Sequence, residues 1–426
     1  MDNYEGAIEV SIWGETLGWL DYDVEKHVSF FQLNNECKWH DDVAPLLMTS
    51  KINPDLEFGP FRNPRGEDWF QGIPPMIADS LPDDFGNTVL LEYLQKIGKS
   101  RADMNIPMRL AYTGSRGMGA LEFRPALIKQ QKNQELNLSR LASLSNQIIE
   151  SHLPQDIDDD VLHNLFMVGT SAGGARSKAV VSINRTTNKL VVGDKSNEGF
   201  TPVIIKFDKL IRGTQDPSQS GIIEHIYNVM ARSAGIEMND SWLIENEGYS
   251  HFCTTRFDRD PVQGKLHMQT YAALTGKSPI DPHRSEGIYE TMVKLGAQNN
   301  HLKQEFRRMC FSYMMCNRDR HTKNISFLMN KTGSWVSSPE YDVTFPFEMN
   351  RPWVRPHAMS INGKVKDIEL NDLLVVAKNI GIKAAKGIVN EIADIVDTFK
   401  EVAQNHGLRD DFIESVQKNL TPVRSA

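Results

Sequence analysis

Two polar residues in the C-terminal half of the chain have the types and the spacing that phosphoryl transfer requires. Asp319 and Asn324 lie five positions apart in the polar segment 317–324, which follows an apolar stretch with helical spacing. Phosphoryl transfer needs a carboxylate that accepts the proton of the attacking hydroxyl and an oxygen ligand for Mg²⁺ on the same loop. The segment therefore predicts a catalytic loop. The alternative is a polar surface loop in which Asp and Asn act as caps.

Asp342 supplies a second carboxylate beyond a predicted hairpin. It lies 18 positions after Asn324, where kinases place another Mg²⁺ ligand directly after the hairpin that follows the catalytic loop. The chain has no Asp-Phe-Gly motif at this point. Taken alone, an Asp after a strand is more often a turn residue.

A lysine and a glutamate further upstream could hold the phosphates of a nucleotide. Lys206 lies inside the apolar segment 203–207, where an ammonium group needs an anion or a path to the surface because unpaired burial is costly. Glu224 follows on a predicted helix, on a face distinct from the stripe of Ile222 and Ile226. Protein kinases use such a strand lysine and helix glutamate around the phosphates of ATP.

A glycine-rich segment precedes this lysine. Residues 169–178 read Gly-Thr-Ser-Ala-Gly-Gly-Ala-Arg-Ser-Lys and lie between two predicted strands. Small residues let backbone N–H groups approach phosphate oxygens closely. The spacing is not that of a P-loop, since Lys178 comes four positions after Gly174 and a strand follows it. A plain hairpin turn is the alternative for this segment.

The order of these features is more informative than any one of them. A glycine-rich loop, a strand lysine, a helix glutamate, an Asp-x-x-x-x-Asn loop, a hairpin and an Asp predict a strand-rich lobe followed by a helical lobe. ATP would lie between the two lobes. The strand that ends at Thr255, Arg256 and Phe257 is the predicted hinge, where backbone groups could hydrogen-bond the adenine edge.

Alternation and helical spacing of apolar residues predict the elements that position these groups. Gly114 to Gly119 is predicted to form a tight hairpin turn rather than a phosphate loop, because no helix follows it. The strands are predicted at 7–13, 165–168, 179–183, 189–192, 203–207 and 251–257, with a hairpin over 325–336. The helices are predicted from the turn at 80–86 through Leu94, then at 138–149, 221–236, 306–316, 367–380 and 384–402.

Composition bounds the class of protein. The chain has 426 residues, 40% of them hydrophobic, which is enough for two to four domains with sizeable cores. Its net charge of −8 makes it a poor candidate for binding nucleic acid without a basic partner. The N-terminus does not resemble a signal peptide, and no apolar run is long enough to span a membrane. We therefore expect a cytoplasmic protein.

The four cysteines are predicted to be buried thiols, since they lack zinc-site spacing: Cys37, Cys253, Cys310 and Cys316.

Several long segments, in order, resemble the HipA family, the serine/threonine-kinase toxins of bacterial HipA–HipB toxin–antitoxin systems. The Asp319 to Asn324 loop is also similar to that of phosphoinositide 3/4-kinases. The segments that carry the resemblance are Ser80-Leu81-Pro82-Asp83, Arg116-Gly117-Met118-Gly119-Ala120-Leu121, Gly173-Gly174-Ala175-Arg176-Ser177-Lys178, Arg256-Phe257-Asp258-Arg259, Asp319-Arg320-His321-Thr322-Lys323-Asn324, Tyr341-Asp342 and His357-Ala358-Met359-Ser360-Ile361-Asn362-Gly363.

The resemblance implies an α+β, two-lobed protein-kinase-like fold with an extra N-terminal subdomain and an all-α C-terminal lobe. We expect the N-terminal subdomain at 1–125, the ATP-binding lobe at 126–257 and the catalytic lobe at 258–426. The segment 129–160 is longer and more polar than the family pattern, so its role is open.

The same resemblance implies roles for individual residues. Asp319 would be the catalytic base, with His321 and Lys323 reaching the γ-phosphate, and Asn324 and Asp342 would bind Mg²⁺. Ser171 aligns with the serine that HipA toxins autophosphorylate, and a phosphate there would repel those of ATP. The residues implied in ATP binding are Gly173, Gly174, Ala175, Arg176, Ser177, Lys178, Lys206, Glu224, Thr255, Arg256 and Phe257. Arg176 and Ser177 stand where better-known members carry Gln and Glu.

The family also implies partners. A HipB-like, DNA-binding antitoxin would hold the toxin and carry the DNA contacts, and the substrate would be a protein hydroxyl, as on glutamyl-tRNA synthetase. Two other functions remain open from the sequence. One is a kinase-like co-repressor with little catalysis. The other is a lipid or small-molecule kinase, although we find no basic amphipathic segment in the sequence that would dock on a membrane.

Overall fold

The structure is a computed structural model that describes residues 6–38, 59–63, 65–127, 135–149, 159–169, 176–194, 198–211, 214–346 and 356–424. Its first part is a five-stranded antiparallel sheet in the order β4-β3-β2-β1-β5 with three helices. The strands are β1 Ile8–Ile12, β2 Glu15–Asp23, β3 Val28–Leu33, β4 Phe61–Arg62 and β5 Leu121–Arg124. The helices are α1 Pro75–Ala78, α2 Asp84–Lys96 and α3 Ile106–Thr113, with a 3₁₀ turn at Arg101–Asp103.

The second part is the strand-rich lobe that carries Lys206. Six antiparallel strands lie in the order β10-β11-β9-β7-β8-β6, and three helices accompany them. The strands are β6 Glu135–Leu136, β7 Lys178–Asn184, β8 Lys189–Val192, β9 Thr201–Lys206, β10 Ser241–Asn246 and β11 Tyr249–Thr255. The helices are α4 Leu138–Ile149, α5 Asp159–Val168 and α6 Ser220–Ser233.

The third part is mainly helical and carries the predicted catalytic loop. Its helices are α7 Tyr271–Thr275, α8 Glu286–Lys294, α9 Asn299–Met314, α10 Leu370–Asn379, α11 Ala385–Asp397, α12 Phe399–Asn405 and α13 Asp410–Gln417. Its strands are β12 Arg259–Asp260, β13 Gly264–Lys265, β14 His267–Thr270, β15 His283–Arg284, β16 Ser326–Met329, β17 Trp335–Ser337 and β18 Met359–Ser360. No helix among the described residues is both long and apolar enough to cross a membrane.

The predicted α+β, two-lobed fold is confirmed, but the C-terminal lobe is not all-α. The hairpin strand β16 is buried along its whole length, so it needs a partner on each edge. It finds β17 on one side and β14 on the other, which makes a three-stranded sheet. Every backbone polar group of a buried strand must be paired, and the added strand meets that need.

Three further predictions were wrong in detail. The apolar run 165–168 was predicted to be a strand but is the last turn of α5. All four of its side chains are buried, and a run of this length is too short for its apolar period to distinguish a helix from a strand. The predicted helix 384–402 is divided at Thr398 into α11 and α12. The turn at Gly114 to Gly119 joins helix α3 to strand β5, so it is not a hairpin.

The apolar side chains form two cores, and the N-terminal part contributes to both. One core joins the first sheet, helix α1 and Leu81 to α6 and the helical lobe. The other joins Phe85 and Val89 of α2 to helices α4 and α5 and the six-stranded sheet. The four cysteines are buried thiols, as predicted, and none of them forms a disulfide within the described part of the chain. The N-terminal part is therefore packed against both lobes.

Gly221 at the start of α6 leaves no room for a side chain. A Cβ atom there would lie 2.0 Å from the backbone oxygen of Ser250 on β11. We expect Gly221→Ala to lower the free energy of unfolding by about 3 kcal/mol, since neither backbone segment can yield cheaply. Gly387→Ala in α11 is the matched control, because a Cβ atom there meets nothing within 4 Å. Urea unfolding of both variants checks this, and equal stabilities would contradict it.

Candidate active site

Lys206 lies between two carboxylates in the structure, which explains how an ammonium group occupies an apolar strand. Its Nζ atom is 2.6 Å from Oε1 of Glu224 and 2.5 Å from Oδ1 of Asp342. Burial alone would lower the pKa of Lys206, but the two carboxylates outweigh it and raise the pKa above its ordinary value. The lysine is therefore charged and points at the place where the two lobes meet.

Glu224 gathers a second cation from the end of the glycine-rich segment. Arg176 places Nη1 2.8 Å from Oε2 of Glu224 and donates through Nη2 to Oγ of Ser220 at 2.8 Å. Glu224 was predicted to lie on a face of its helix distinct from the apolar stripe. It faces the cleft, although its side chain is only 2% exposed. Arg176, Lys206 and Glu224 thus form one charged cluster.

Asp342 is the residue that links this cluster to the helical lobe. Its backbone adopts a left-handed conformation with φ of 54°, which L residues adopt rarely and mainly at turns or functional sites. Burial would raise the pKa of Asp342, but the Lys206 ammonium holds it well below its usual range. The carboxylate is therefore ionised and available to a cation.

The predicted catalytic loop is compact and carries Asp319 toward solvent. The Nδ2 atom of Asn324 donates to the Asp319 carbonyl oxygen at 2.9 Å, which closes the loop and turns the amide oxygen of Asn324 away from that carbonyl. The Asp319 side chain is 63% exposed. Partial desolvation raises the pKa of Asp319, and the nearby Asp342 carboxylate acts in the same direction. A carboxylate with a raised pKa is a better proton acceptor.

His321 and Lys323 also lie at this loop. The Nε2 atom of His321 is 4.0 Å from Oδ1 of Asp319, and its Nδ1 atom accepts a hydrogen bond from the backbone N–H of Lys323 at 3.2 Å. The Nζ atom of Lys323 lies 5.9 Å from the centre of the Trp69 ring in the N-terminal part. His321 therefore lies beside Asp319, and Lys323 lies on the same loop near the N-terminal part.

A buried ion cluster that sequence reasoning missed holds the loop from below. Arg320 donates to Oε1 of Glu340 at 2.8 Å and to Oε1 of Glu305 at 2.9 Å. Arg308 lies 3.5 Å from Glu340, and all four side chains are almost fully buried. Because Arg320 follows Asp319 and Glu340 precedes Asp342 by two residues, the cluster ties the two predicted catalytic segments together. No local pattern marked this cluster, because Arg320 lies in a polar segment and Glu305 has polar and charged neighbours.

Tyr341 makes a second tie between the same segments. Its hydroxyl donates to the backbone oxygen of Lys323 at 2.7 Å and lies 2.6 Å from Oγ of Ser326. Burial raises the pKa of the Tyr341 phenol well above its ordinary value, so the hydroxyl keeps its proton. The Tyr341 hydroxyl and the Arg320 cluster consequently both join the catalytic loop to the Asp342 segment.

At the predicted hinge, the backbone donors of Thr255 and Arg256 are already used within the protein. The N–H of Thr255 bonds to the oxygen of Asp240, and that of Arg256 bonds to the oxygen of Pro202. The Arg256 side chain is buried against Asp258 and the backbone oxygen of Gly117. These bonds do not support the predicted adenine contact through those two N–H groups. Phe257, whose ring centre lies 5.3 Å from that of Tyr341, remains at the cleft.

Lys178 occupies a different environment from the one predicted. Its side chain is 1% exposed and its Nζ atom is 2.6 Å from Oδ2 of Asp83, so the ammonium is held by a carboxylate rather than presented to a nucleotide. Ser177 is also buried and donates from Oγ to Oδ1 of Asn146 at 3.1 Å. Four other predicted residues lie outside the described part of the chain: Ser171, Gly173, Gly174 and Ala175.

The oxygen atoms near the catalytic loop fit a magnesium ion. The described residues contain no cluster of three or more His, Cys, Asp or Glu side chains arranged for a metal. Mg²⁺ is nevertheless bound through one or two carboxylates together with phosphate oxygens and water. The ionised Asp342 and the amide oxygen of Asn324 provide such a partial set, to which the phosphates of a nucleotide would add.

Two lobes, a lysine between two carboxylates and an Asp-containing loop define a kinase-like fold and site. Models of two protein families match the chain, the HipA N-terminal domain over residues 8–124 and the HipA-like C-terminal domain over residues 170–403. The second match alone covers more than half of the chain. The chain therefore belongs to the HipA family.

Curated relatives agree with this placement over part of their length. A protein of Haemophilus influenzae named "Putative kinase" is 27% identical over 218 residues, which is 47% of this chain and 59% of the relative. A Sinorhizobium fredii protein named "Putative kinase Y4dM" is 28% identical over 152 residues, or 31% of this chain and 37% of that protein. The matches thus span less than two thirds of these relatives.

A solved structure resembles nearly the whole chain. It is HipA from the Shewanella oneidensis toxin–antitoxin complex of HipA, HipB and operator DNA. The TM-score is 0.67 with 17% sequence identity, covering 97% of this chain and 95% of that one. At this identity the likeness establishes the fold.

Proposed function

We propose that the protein is an ATP- and Mg²⁺-dependent serine/threonine protein kinase that acts as the toxin of a toxin–antitoxin pair. The observation that carries the proposal is the Lys206 ammonium between Glu224 and Asp342, beside the Asp319 loop. Strand lysine, helix glutamate, catalytic Asp and metal-binding Asp are the parts with which kinases position ATP. HipA-family membership supports the same assignment.

In the proposed reaction, the substrate hydroxyl binds beside the exposed Asp319 carboxylate. Asp319 orients that hydroxyl and accepts its proton as the oxygen attacks the γ-phosphorus of ATP and the bond to ADP breaks. Asp342 and Asn324 would hold Mg²⁺, which would supply positive charge opposite the phosphates. Lys323 and His321 lie on the same loop as Asp319, where their donors would meet the oxygens of the transferred group.

The ion pair between Lys206 and Asp342 must loosen when nucleotide binds, because the metal competes for the Asp342 carboxylate and a phosphate competes for the Lys206 ammonium. Glu224 keeps the lysine in place through its own ion pair and is nearly fully buried. Arg176 adds a second positive charge at the end of the glycine-rich segment. We propose that phosphorylation of Ser171 in that segment would repel the nucleotide phosphates and switch the kinase off.

We expect Lys206→Met to weaken ATP binding about 10–100-fold, since one close charge contact with phosphate is lost and the Asp342 carboxylate faces the nucleotide unshielded. Isothermal titration of ATP with Mg²⁺ measures this. Lys189→Met on strand β8 is the control, because its surface ion pair with Glu135 should leave ATP affinity unchanged. Equal affinities of the Lys206→Met variant and the unaltered protein would contradict the assignment.

The substrate and the partner are proposed from family membership. HipA was crystallised with HipB and operator DNA, and the net charge of −8 gives this chain an electrostatic reason to leave DNA contacts to such an antitoxin. The substrate would be a hydroxyl of a translation protein such as an aminoacyl-tRNA synthetase.

Incubation of the pure protein with γ-labelled ATP, Mg²⁺ and a cell lysate tests the proposed activity. Label on the protein itself and on a lysate protein is the expected result. Label in lipid would favour a lipid kinase. No label anywhere would overturn the kinase proposal and favour a co-repressor role with the antitoxin.

A further inference from the structure

The segment 79–83 of the N-terminal part lies where the two apolar cores separate. Helix α1 and Leu81 belong to the core shared with the helical lobe, whereas Phe85 belongs to the core of the strand-rich lobe. The segment carries two carboxylates, Asp79 and Asp83, and the site chemistry described above uses neither of them. Their contacts lead to different lobes.

Asp79 binds the helical lobe at a cap. Its Oδ2 atom accepts a hydrogen bond from the backbone N–H of Thr270 at 2.7 Å, and its Oδ1 atom accepts from the Thr270 hydroxyl at 2.9 Å. That hydroxyl in turn accepts from the N–H of Ala273 and caps helix α7. The carboxylate therefore fixes the first turn of this helix.

The first turn of α7 holds the catalytic loop directly. The N–H of Tyr271 donates to the oxygen of Ile325 at 2.7 Å, and the N–H of Ala272 donates to the oxygen of Thr322 at 3.2 Å. These two acceptors flank Lys323 and Asn324. Asp79 is also close enough to Lys323 for the two charges to interact. A chain of contacts thus runs from Asp79 to the loop that carries Asp319.

Asp83 binds the strand-rich lobe. Its Oδ1 atom accepts from the N–H of Gly86 and caps α2, and its Oδ2 atom is 2.6 Å from Nζ of Lys178. Lys178, the last residue of the glycine-rich segment, begins strand β7 and lies opposite Lys206 in the register of β7 and β9. The Asp83 pair therefore sets the position of the strand beside the phosphate-binding lysine.

We infer that Asp79 and Asp83 are positioning residues through which the N-terminal part holds the catalytic loop and the nucleotide-binding strands in register. This inference rests on the proposed kinase function, which it extends to residues that contact no substrate. The two carboxylates are four positions apart on one short segment. A shift of that segment moves both halves of the site together.

Hydrogen–deuterium exchange of the full chain without nucleotide is the first test. For Asp79→Asn we expect exchange about tenfold faster in peptides covering 268–276 and 317–326, with the rest of the chain unchanged, since the cap over α7 is weakened. Thr270→Val should reproduce the effect, while Thr270→Ser, which keeps the hydroxyl, should not. Asp84→Asn, an exposed neighbour, is the control.

Kinetics give the second test. Asp79→Asn should lower kcat about 10-fold or more with KM for ATP nearly unchanged, because a displaced catalytic loop affects the chemical step. Asp83→Asn should raise KM for ATP, because it releases strand β7. If Asp83→Asn alone fails to fold, the double variant Asp83→Asn with Lys178→Met removes both buried charges and permits the same measurement of KM for ATP.

The outcomes separate the inference from the function it rests on. Absence of phosphoryl transfer in the unaltered protein would overturn the kinase proposal, while the exchange experiment would still test the positioning role. Exchange in 317–326 that stays unchanged in Asp79→Asn, or that rises equally along the whole chain, would overturn the inference.

Discussion

Asp319→Asn is expected to lower the rate of phosphoryl transfer about 10²–10⁴-fold, the range by which a positioned general base accelerates a reaction. The amide has nearly the shape of the carboxylate but cannot accept the substrate proton. Because the Asp319 side chain is 63% exposed and the loop is closed through its backbone oxygen, the fold should be unaffected. Initial rates with γ-labelled ATP measure the loss.

The control for this substitution is Asp281→Asn, an exposed acidic residue of the same lobe. It should keep full activity. ATP affinity should be nearly unchanged in Asp319→Asn, since the phosphates are assigned to Lys206 and the metal to Asp342. An Asp319→Asn variant that transfers phosphate at more than a tenth of the normal rate would remove Asp319 from the mechanism.

Arg320→Met is expected to lower the free energy of unfolding by about 3–5 kcal/mol, because it leaves Glu305 and Glu340 buried without their common cation. Burial would lower the pKa of Arg320, but the two glutamates raise it above its ordinary value, so the guanidinium is charged in the native protein. Urea unfolding monitored by circular dichroism measures the change. Activity should also fall, since the cluster joins the Asp319 and Asp342 segments.

Arg424→Met provides the comparison for this cluster. Arg424 pairs with Asp394 and Asp397 at the surface, where ion pairs contribute little. Arg320→Lys keeps the charge but loses the two-pronged geometry of the guanidinium, and an intermediate loss is expected. If Arg320→Met were as stable as the unaltered protein, the cluster would have no role in holding the loop.

The sequence predicted two lobes, and the order of its polar residues, rather than any one of them, predicted that Lys206, Glu224 and Asp342 come together. Lys206 stood in an apolar strand, and its two anionic partners, Glu224 and Asp342, were both among the predicted site residues. The order of these residues along the chain was enough to place them in facing lobes. The hairpin after Asn324 was likewise predicted from apolar runs around a turn.

Long-range pairing is what local patterns could not supply. Lys178 follows the glycine-rich segment and looked like a phosphate ligand, but its partner Asp83 lies 95 positions earlier. Arg320 pairs with Glu305 on helix α9 and with Glu340 just after strand β17, so its burial had no signal in its neighbours. The run 165–168 has four buried residues in succession, a pattern that strand and helix share.

Phosphoproteomics after induced expression tests the central claim most directly. Cells that express the unaltered protein are compared with cells that express Asp319→Asn at the same level. The kinase assignment predicts new phosphoserine or phosphothreonine on at least one translation protein, together with growth arrest, only in the first culture. Identical phosphorylation in both cultures, or growth arrest that persists with Asp319→Asn, would contradict it.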